Sequence, residues 1–163
     1  MKQRFRKMLA NAESFGEIFS IVKKAVQEVL GLHRVGLELV LMDLPKAVGA
    51  LHQVGSNTII MNKSLLEAFA QIARSRVEVN SYIFSILLHE YLHSLGFIDE
   101  AEVRDLSRIV ARDSLGESHP AYLMSSKPLF ELYPELRIFS SSSVGGEPRL
   151  VKDFDRENLH YIS

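Results

Sequence analysis

The first part of the chain passes from a helical pattern to alternating strand patterns. Apolar side chains recur at three- and four-residue spacing over residues 12–30, which predicts an amphipathic helix that ends at Gly31. Short Val- and Leu-rich or Ile-rich stretches, bounded by Pro45 and by a Gly-Ser-Asn turn, then predict three strands, at 35–43, 48–55 and 58–62. The connections are short, so we expect antiparallel neighbours.

The second part of the chain has helical periodicity almost throughout. Asn80 is a suitable N-cap for one of the helices, and Gly96 stands where a helix C-terminus favours glycine. The predicted helices are 63–73, 81–95, 100–115 and 128–136, with a loop at 117–128. One helix, a few strands and then several helices predict an α+β fold, in which a small mixed or antiparallel sheet packs against helix 81–95 and further helices.

The composition changes near residue 139, where a Ser- and Gly-rich run is followed by charged residues. We therefore predict a single domain at 1–138 and a C-terminal tail at 139–163, which forms a flexible link and has an end that can dock on the domain.

Charge and cysteine content narrow the classes of partner. The 163 residues carry a net charge of −1, which gives no overall field to attract nucleic acid or a membrane surface. The longest apolar segment, 82–95, is too short and too polar to span a bilayer. No export signal follows the basic first residues, and there is no cysteine, so any metal must be held by histidines and carboxylates. These absences favour a cytoplasmic protein.

The apolar helix 81–95 contains the polar sequence His89-Glu90-Tyr-Leu-His93. Side chains four apart project from one helix face, so two imidazoles can bind one zinc ion at about 2.0–2.1 Å. Glu90 lies at the edge of that face, where a carboxylate can act as general base toward water. The pattern predicts a catalytic site with one zinc ion per chain. Fe(II) also suits two histidines and a carboxylate, but the helical context favours zinc.

A catalytic zinc site usually takes a third protein ligand. Gly96 permits a sharp turn after the helix, and Asp99 is the first carboxylate beyond it, so Asp99 is the predicted third ligand. Asp99 with Glu102 is also a good capping box for the next helix.

The eleven residues 89–99, HEYLHSLGFID, resemble the metzincin pattern HExxHxxGxxH/D, in the snapalysin-like variant with Asp in the third position. The small format is also similar to the minimal zincins of archaea and bacteria, some of which use a helical Glu as third ligand. This resemblance implies Glu100, Glu102 or His119 as alternatives to Asp99 in the third position. The resemblance implies a zinc metallopeptidase in which Glu90 is the general base. It also implies that Met124, in AYLMSS, belongs to a Met-containing turn beneath the metal.

The same resemblance implies a peptide or protein substrate. An extended peptide would lie beside an edge strand within residues 48–62, with backbone pairing offered by TIIMN, residues 58–62. Neither a nucleic acid nor a membrane is expected as a partner.

Two other functions stay open. The first is a non-peptidase zinc hydrolase similar to the RNA-maturation nucleases with His-x₃-His-x₅-His, although Glu90 and the net charge count against it. The second is a latent or regulatory zinc protein whose tail blocks the cleft. The tail residues considered for that contact with the metal are Asp153, Asp155, Glu157 and His160.

Overall fold

The computed structural model describes residues 1–45, 48–53, 55–138 and 147–155. Within these residues the chain forms an α+β fold, as predicted, with seven α-helices, one 3₁₀ helix and a four-stranded mixed sheet. The elements are α1 (Lys2–Asn11), α2 (Phe15–Leu30), β1 (Glu38–Met42), β2 (Ala50–His52), β3 (Thr58–Asn62), α3 (Lys63–Ile72), α4 (Arg76–Ser94), α5 (Glu100–Leu115), α6 (Pro120–Ser126), α7 (Leu129–Leu132), the 3₁₀ helix Pro134–Ile138 and β4 (Arg149–Leu150).

The strand order in the sheet is β2-β3-β1-β4. β1 and β3 run parallel, with Leu39 opposite Ile59 and Leu41 opposite Met61, and these four side chains are buried in the core. The expected antiparallel pairing is right for β2 and β3 and wrong for β1, which skips β2. The segment between β1 and β3 is long enough for a parallel crossover, which needs about a dozen residues.

The position of β3 inside the sheet corrects one expectation. TIIMN pairs with β1 on one side and β2 on the other, so its backbone is not available to a peptide. Among the described strands, the edge on this side of the sheet is β2, Ala50–His52, and it is the element that can pair with an extended chain.

The N-terminal helix α1 is absent from the sequence-based predictions. Its charged residues suggested only a basic start, but Phe5 and Leu9, one turn apart, are completely buried in the core. The predicted helix 12–30 begins later, at α2, where the Ser14 side chain accepts a hydrogen bond from the Glu17 amide.

The central helix α4 begins earlier than predicted. Ser75 is its N-cap and accepts from the Glu78 amide at 3.3 Å. Asn80 lies inside the helix instead, where its side-chain amide donates to the carbonyls of Leu9 and Ala12 at 2.8 and 3.0 Å. The residue that resembled a cap therefore joins α4 to the end of α1.

The described part of the C-terminal tail packs on the domain. β4 pairs antiparallel with β1, and the Phe154 ring stacks on Phe19 of α2 with centroids 4.3 Å apart. Beyond it, the Asp155 carboxylate is 2.7 Å from the Lys23 ammonium in a buried ion pair. In the described part of the chain, no helix is both long and apolar enough to cross a membrane.

Candidate metal centre

The end of α4 and the start of α5 form the walls of the site. His89 and His93 lie one turn apart near the end of α4, with ring centroids 4.9 Å apart. Gly96 then has φ +109°, a conformation that favours glycine, and the chain reverses. α5 begins at Glu100, so its first turn returns toward the two histidines.

One carboxylate spans both imidazoles. Glu100 Oε2 is 3.0 Å from Nε2 of His89, and Glu100 Oε1 is 2.8 Å from Nε2 of His93. Among the described residues, these three form the group of potential metal ligands, with ligand atoms that all lie within 4.8 Å of one another. Zinc–ligand bonds of about 2.0–2.1 Å in tetrahedral geometry separate neighbouring ligand atoms by about 3.3 Å. The two separations between Glu100 and the histidines are a few tenths of an ångström shorter, and all three ligand atoms lie within 4.8 Å of one another, so the group could hold a zinc ion after a small adjustment.

The contacts of His93 show which of its two ring nitrogens carries a proton. Its Nδ1 is 2.7 Å from the Phe97 carbonyl oxygen, which can only accept, so Nδ1 carries the proton. In a neutral ring, Nε2 then has a lone pair, which faces a carboxylate oxygen of Glu100. The lone pair of His93 Nε2 and the Glu100 oxygen, 2.8 Å apart, would repel each other. A positive charge must therefore lie between these two atoms, either a second ring proton or a metal ion. A ring nitrogen bonded to a backbone carbonyl is a common support for a metal-bound histidine.

Burial lowers the pKa of His89, and although the Glu100 carboxylate opposes this shift, the positive charges of His93 and Arg104 reinforce it. A histidine that resists protonation keeps its lone pair available as a ligand.

Glu90 lies beside the two histidines and is 7% exposed. Burial raises its pKa to about 7, and the Glu100 carboxylate adds to that rise, while His93 opposes it. A carboxyl group with a pKa near neutrality suits a group that both takes and returns a proton.

The other predicted ligands lie elsewhere. Asp99 is the N-cap of α5 and its Oδ1 accepts from the Ala101 amide at 3.2 Å. Glu102 is exposed and lies outside the group of three. His119 is buried as the N-cap of α6, where its Nδ1 accepts from the Ala121 amide at 3.1 Å.

Met124 lies in a helix, so the predicted loop at 117–128 is wrong over α6. His119 and Pro120 start this helix, because a side-chain acceptor at the N-cap and proline at the first position both suit a helix N-terminus. The Met124 side chain packs against the cluster formed by Leu65, Phe69 and Tyr82.

A cleft opens along the metal-ligand face of α4. Its walls combine small and apolar residues with a few polar ones. The residues that line it are Gly49, Ala50, Ser85, Ile86, His89, Glu90, Arg104, Ser107, Met124, Ser125, Ser126, Lys127 and Pro128. The edge strand β2 thus borders the same cleft as Glu90, through Ala50.

Arg104 is a cleft residue that the sequence interpretation did not identify. Other charged residues of α5 form the local ion pairs Arg108–Asp105 and Arg112–Asp113, as is typical of a solvated helix face. Arg104 is one turn after Glu100, and that spacing from a candidate ligand is the signal that could have identified it.

The described tail residues are not at this site. The Asp155 carboxylate is buried against Lys23 and also accepts from the amides of Gly36 and Leu37. The idea that Asp155 reaches the metal is therefore wrong. Glu157 and His160 lie outside the described residues.

Searches of protein-family models, curated proteins and solved structures found no match for this chain. The resemblance to metzincins and minimal zincins therefore rests on the sequence alone, chiefly on residues 89–99.

Proposed function

We propose that the protein is a zinc-dependent metallopeptidase, in which His89, His93 and Glu100 hold the zinc ion and Glu90 is the general base. The observation that carries the proposal is the convergence of two histidine nitrogens on one carboxylate, with the proton of His93 committed to the Phe97 carbonyl. We propose Glu100 rather than Asp99 as third ligand because the Asp99 carboxylate bonds to the amide of Ala101.

The roles of the side chains follow from their positions. Bound zinc supplies Lewis acidity, which polarises a carbonyl and makes water a better nucleophile near neutral pH. Glu90, buried beside the ligands, takes the proton of the attacking water as the new C–O bond forms. It then gives that proton to the amine as the C–N bond breaks, so the products are a carboxylate and a free amine. The exposed edge of β2 offers backbone pairing that would hold the peptide extended along the cleft.

The first experiment separates the two candidate ligands. Glu100→Gln and Asp99→Asn remove one charge each at adjacent positions, so they are matched variants. Zinc content by elemental analysis and zinc affinity by competition with a chromophoric chelator are measured for both and for the parent protein. We expect about one zinc per chain in the parent protein and in Asp99→Asn, and a loss of affinity of at least about 100-fold in Glu100→Gln.

The second experiment tests hydrolysis. A quenched-fluorescence peptide library is incubated with the zinc-loaded protein and with Glu90→Gln. We expect cleavage by the parent protein, and retention of zinc with at least about 100-fold slower cleavage in Glu90→Gln. If the parent protein binds no zinc after metal is added back, or if Glu90→Gln cleaves at the parent rate, the proposal fails. The cytoplasmic location remains a prediction from the sequence.

A further inference from the structure

Two cations line the candidate cleft. Arg104 lies on α5 and Lys127 directly follows α6, and both line the same cleft as His89. Both side chains are exposed, and within the described part of the chain neither takes part in a hydrogen bond or an ion pair. Glu90 is the one carboxylate among the described residues that line this cleft. The charge beside the candidate metal site is therefore arranged to receive an anion.

The contrast with the rest of α5 supports a role for Arg104. Arg108 and Arg112 are neutralised by acidic residues of the same helix, at 2.5 and 3.0 Å. Arg104, which has Glu100 one turn before it, has no such partner because the Glu100 oxygens face the two histidines. Of these three arginines of α5, Arg104 is thus the one that lines the cleft and the one that has no ion pair with a carboxylate of its own helix.

We propose that Arg104 and Lys127 form a subsite for a carboxylate of the substrate, so that the protein selects peptides with an acidic residue or a free C-terminus next to the bond in the cleft. The inference rests on the proposed function, because it names the substrate class of the same site. A guanidinium binds a carboxylate through paired N–H donors, and an ammonium adds a second charge.

A peptide fits this cleft better than a nucleic acid does. The edge strand β2 borders the cleft and offers backbone hydrogen bonds to an extended chain. Ile86, Met124 and Pro128 add apolar surface for side chains. Single-stranded nucleic acid usually requires aromatic stacking platforms and a longer cationic groove, and none of the described lining residues is a phenylalanine, tyrosine or tryptophan.

The test is a binding measurement on metal-free protein, so that a carboxylate cannot bind through zinc. Labelled peptides of identical sequence with a central Glu or Gln are compared by fluorescence anisotropy, each with a free or an amidated C-terminus. The variants are Arg104→Gln and Lys127→Gln. Lys7→Gln, which removes an exposed charge on α1 away from the cleft, is the matched control.

We expect the parent protein and Lys7→Gln to bind a carboxylate-bearing peptide about threefold to tenfold more tightly than the neutral one. This preference should fall in both cleft variants and should weaken as salt is raised. Comparing the peptide that has a central Glu with the peptide that has a free C-terminus shows which of the two carboxylates binds to the subsite. Equal affinity for charged and neutral peptides, no binding of any peptide, or a preference unchanged in Arg104→Gln and Lys127→Gln would overturn the proposal. A single-stranded RNA that binds more tightly than every peptide and shows the same dependence on Arg104 would also overturn it.

The subsite and the peptidase can fail separately. Selective, Arg104-dependent binding with no cleavage by the zinc-loaded protein would leave the carboxylate subsite in place and reject hydrolysis. Cleavage of neutral and acidic peptides at equal rates, with equal affinity, would support the peptidase and reject the subsite.

Discussion

Replacing Asp155 by Asn tests how the end of the chain is held. Asp155 and Lys23 are 2.7 Å apart, and the side chain of each is 2% exposed. The other carboxylate oxygen accepts from the amides of Gly36 and Leu37 at 2.7 and 3.2 Å. Asparagine has nearly the same shape, so the substitution removes the negative charge and leaves little empty space.

The cost of this change follows from the burial of Lys23. Removing one partner of a buried ion pair costs about 3–5 kcal/mol, because the remaining buried charge loses its counter-ion. The Phe19 ring, whose centroid is 5.1 Å from the Lys23 ammonium, offsets part of that loss. We therefore expect the free energy of unfolding to fall by about 3–4 kcal/mol, out of a total of about 5–15 kcal/mol for a protein domain.

The assay is urea unfolding followed by circular dichroism, with two further variants. Glu28→Gln makes the same charge change in the exposed Arg4–Glu28 pair and should cost less than about 1 kcal/mol. Lys23→Met combined with Asp155→Asn removes both buried charges, while the Asn oxygen can still accept from Gly36 and Leu37. The double variant should recover at least about half of the loss. A cost below about 1 kcal/mol for Asp155→Asn, or a double variant less stable than the single one, would refute the reasoning.

Two further predictions concern stability. Burial lowers the pKa of His119 to about 4, and the charge of Arg6 adds to the shift, so the folded state holds this ring neutral. The unfolded chain takes up the proton first, so the contribution of His119 is complete above about pH 6.5 and is lost as the pH falls toward about 4, by about 1–2 kcal/mol after allowance for solvent screening. His119→Ser keeps an N-cap and should flatten this part of the stability profile, whereas an unchanged slope would contradict the assignment. In Gly16→Ala, the new Cβ would lie 2.5 Å from the backbone oxygen of Asp153, so we expect the docked tail to shift at a cost of about 1–3 kcal/mol in thermal unfolding. A melting temperature equal to that of the parent would show that the tail adjusts freely.

Local pattern alone was sufficient for several elements. The spacing of apolar residues located α2, α3 and α5 to within a few residues, and it placed β3 at its observed bounds. The end of α4 near Gly96 also followed from the sequence, because a left-handed residue after a helix strongly favours glycine. The shared helix face of His89 and His93 depends only on helix geometry, so it needed no knowledge of the rest of the fold.

Other features are set by contacts between distant parts of the chain. Helix α1 is stabilised by burial of Phe5 and Leu9 rather than by a clear pattern of its own, and the parallel pairing of β1 with β3 depends on where β2 turns back. The partner of Lys23 lies 132 residues away, at Asp155, and no local rule connects them. These features depend on which surfaces meet when the chain folds, so the hydrophobic pattern constrained them only weakly.

The features of the candidate site likewise divide into those that the local sequence predicted and those that depend on contacts between distant parts of the chain. The sequence by itself determined that two imidazoles and the Glu90 carboxylate share one end of α4, because a helix places side chains at a fixed spacing. It favoured Asp99 as the third ligand and left Glu100 as an alternative, since both follow the same turn. In the tertiary structure, Asp99 at the N-cap bonds to its own helix backbone, and Glu100 contacts both histidines of the facing helix. Likewise, Arg104 and Lys127 line one cleft only because α5 and α6 pack beside α4. This packing depends on the angles between the helices, which the position of a residue within its own helix does not determine.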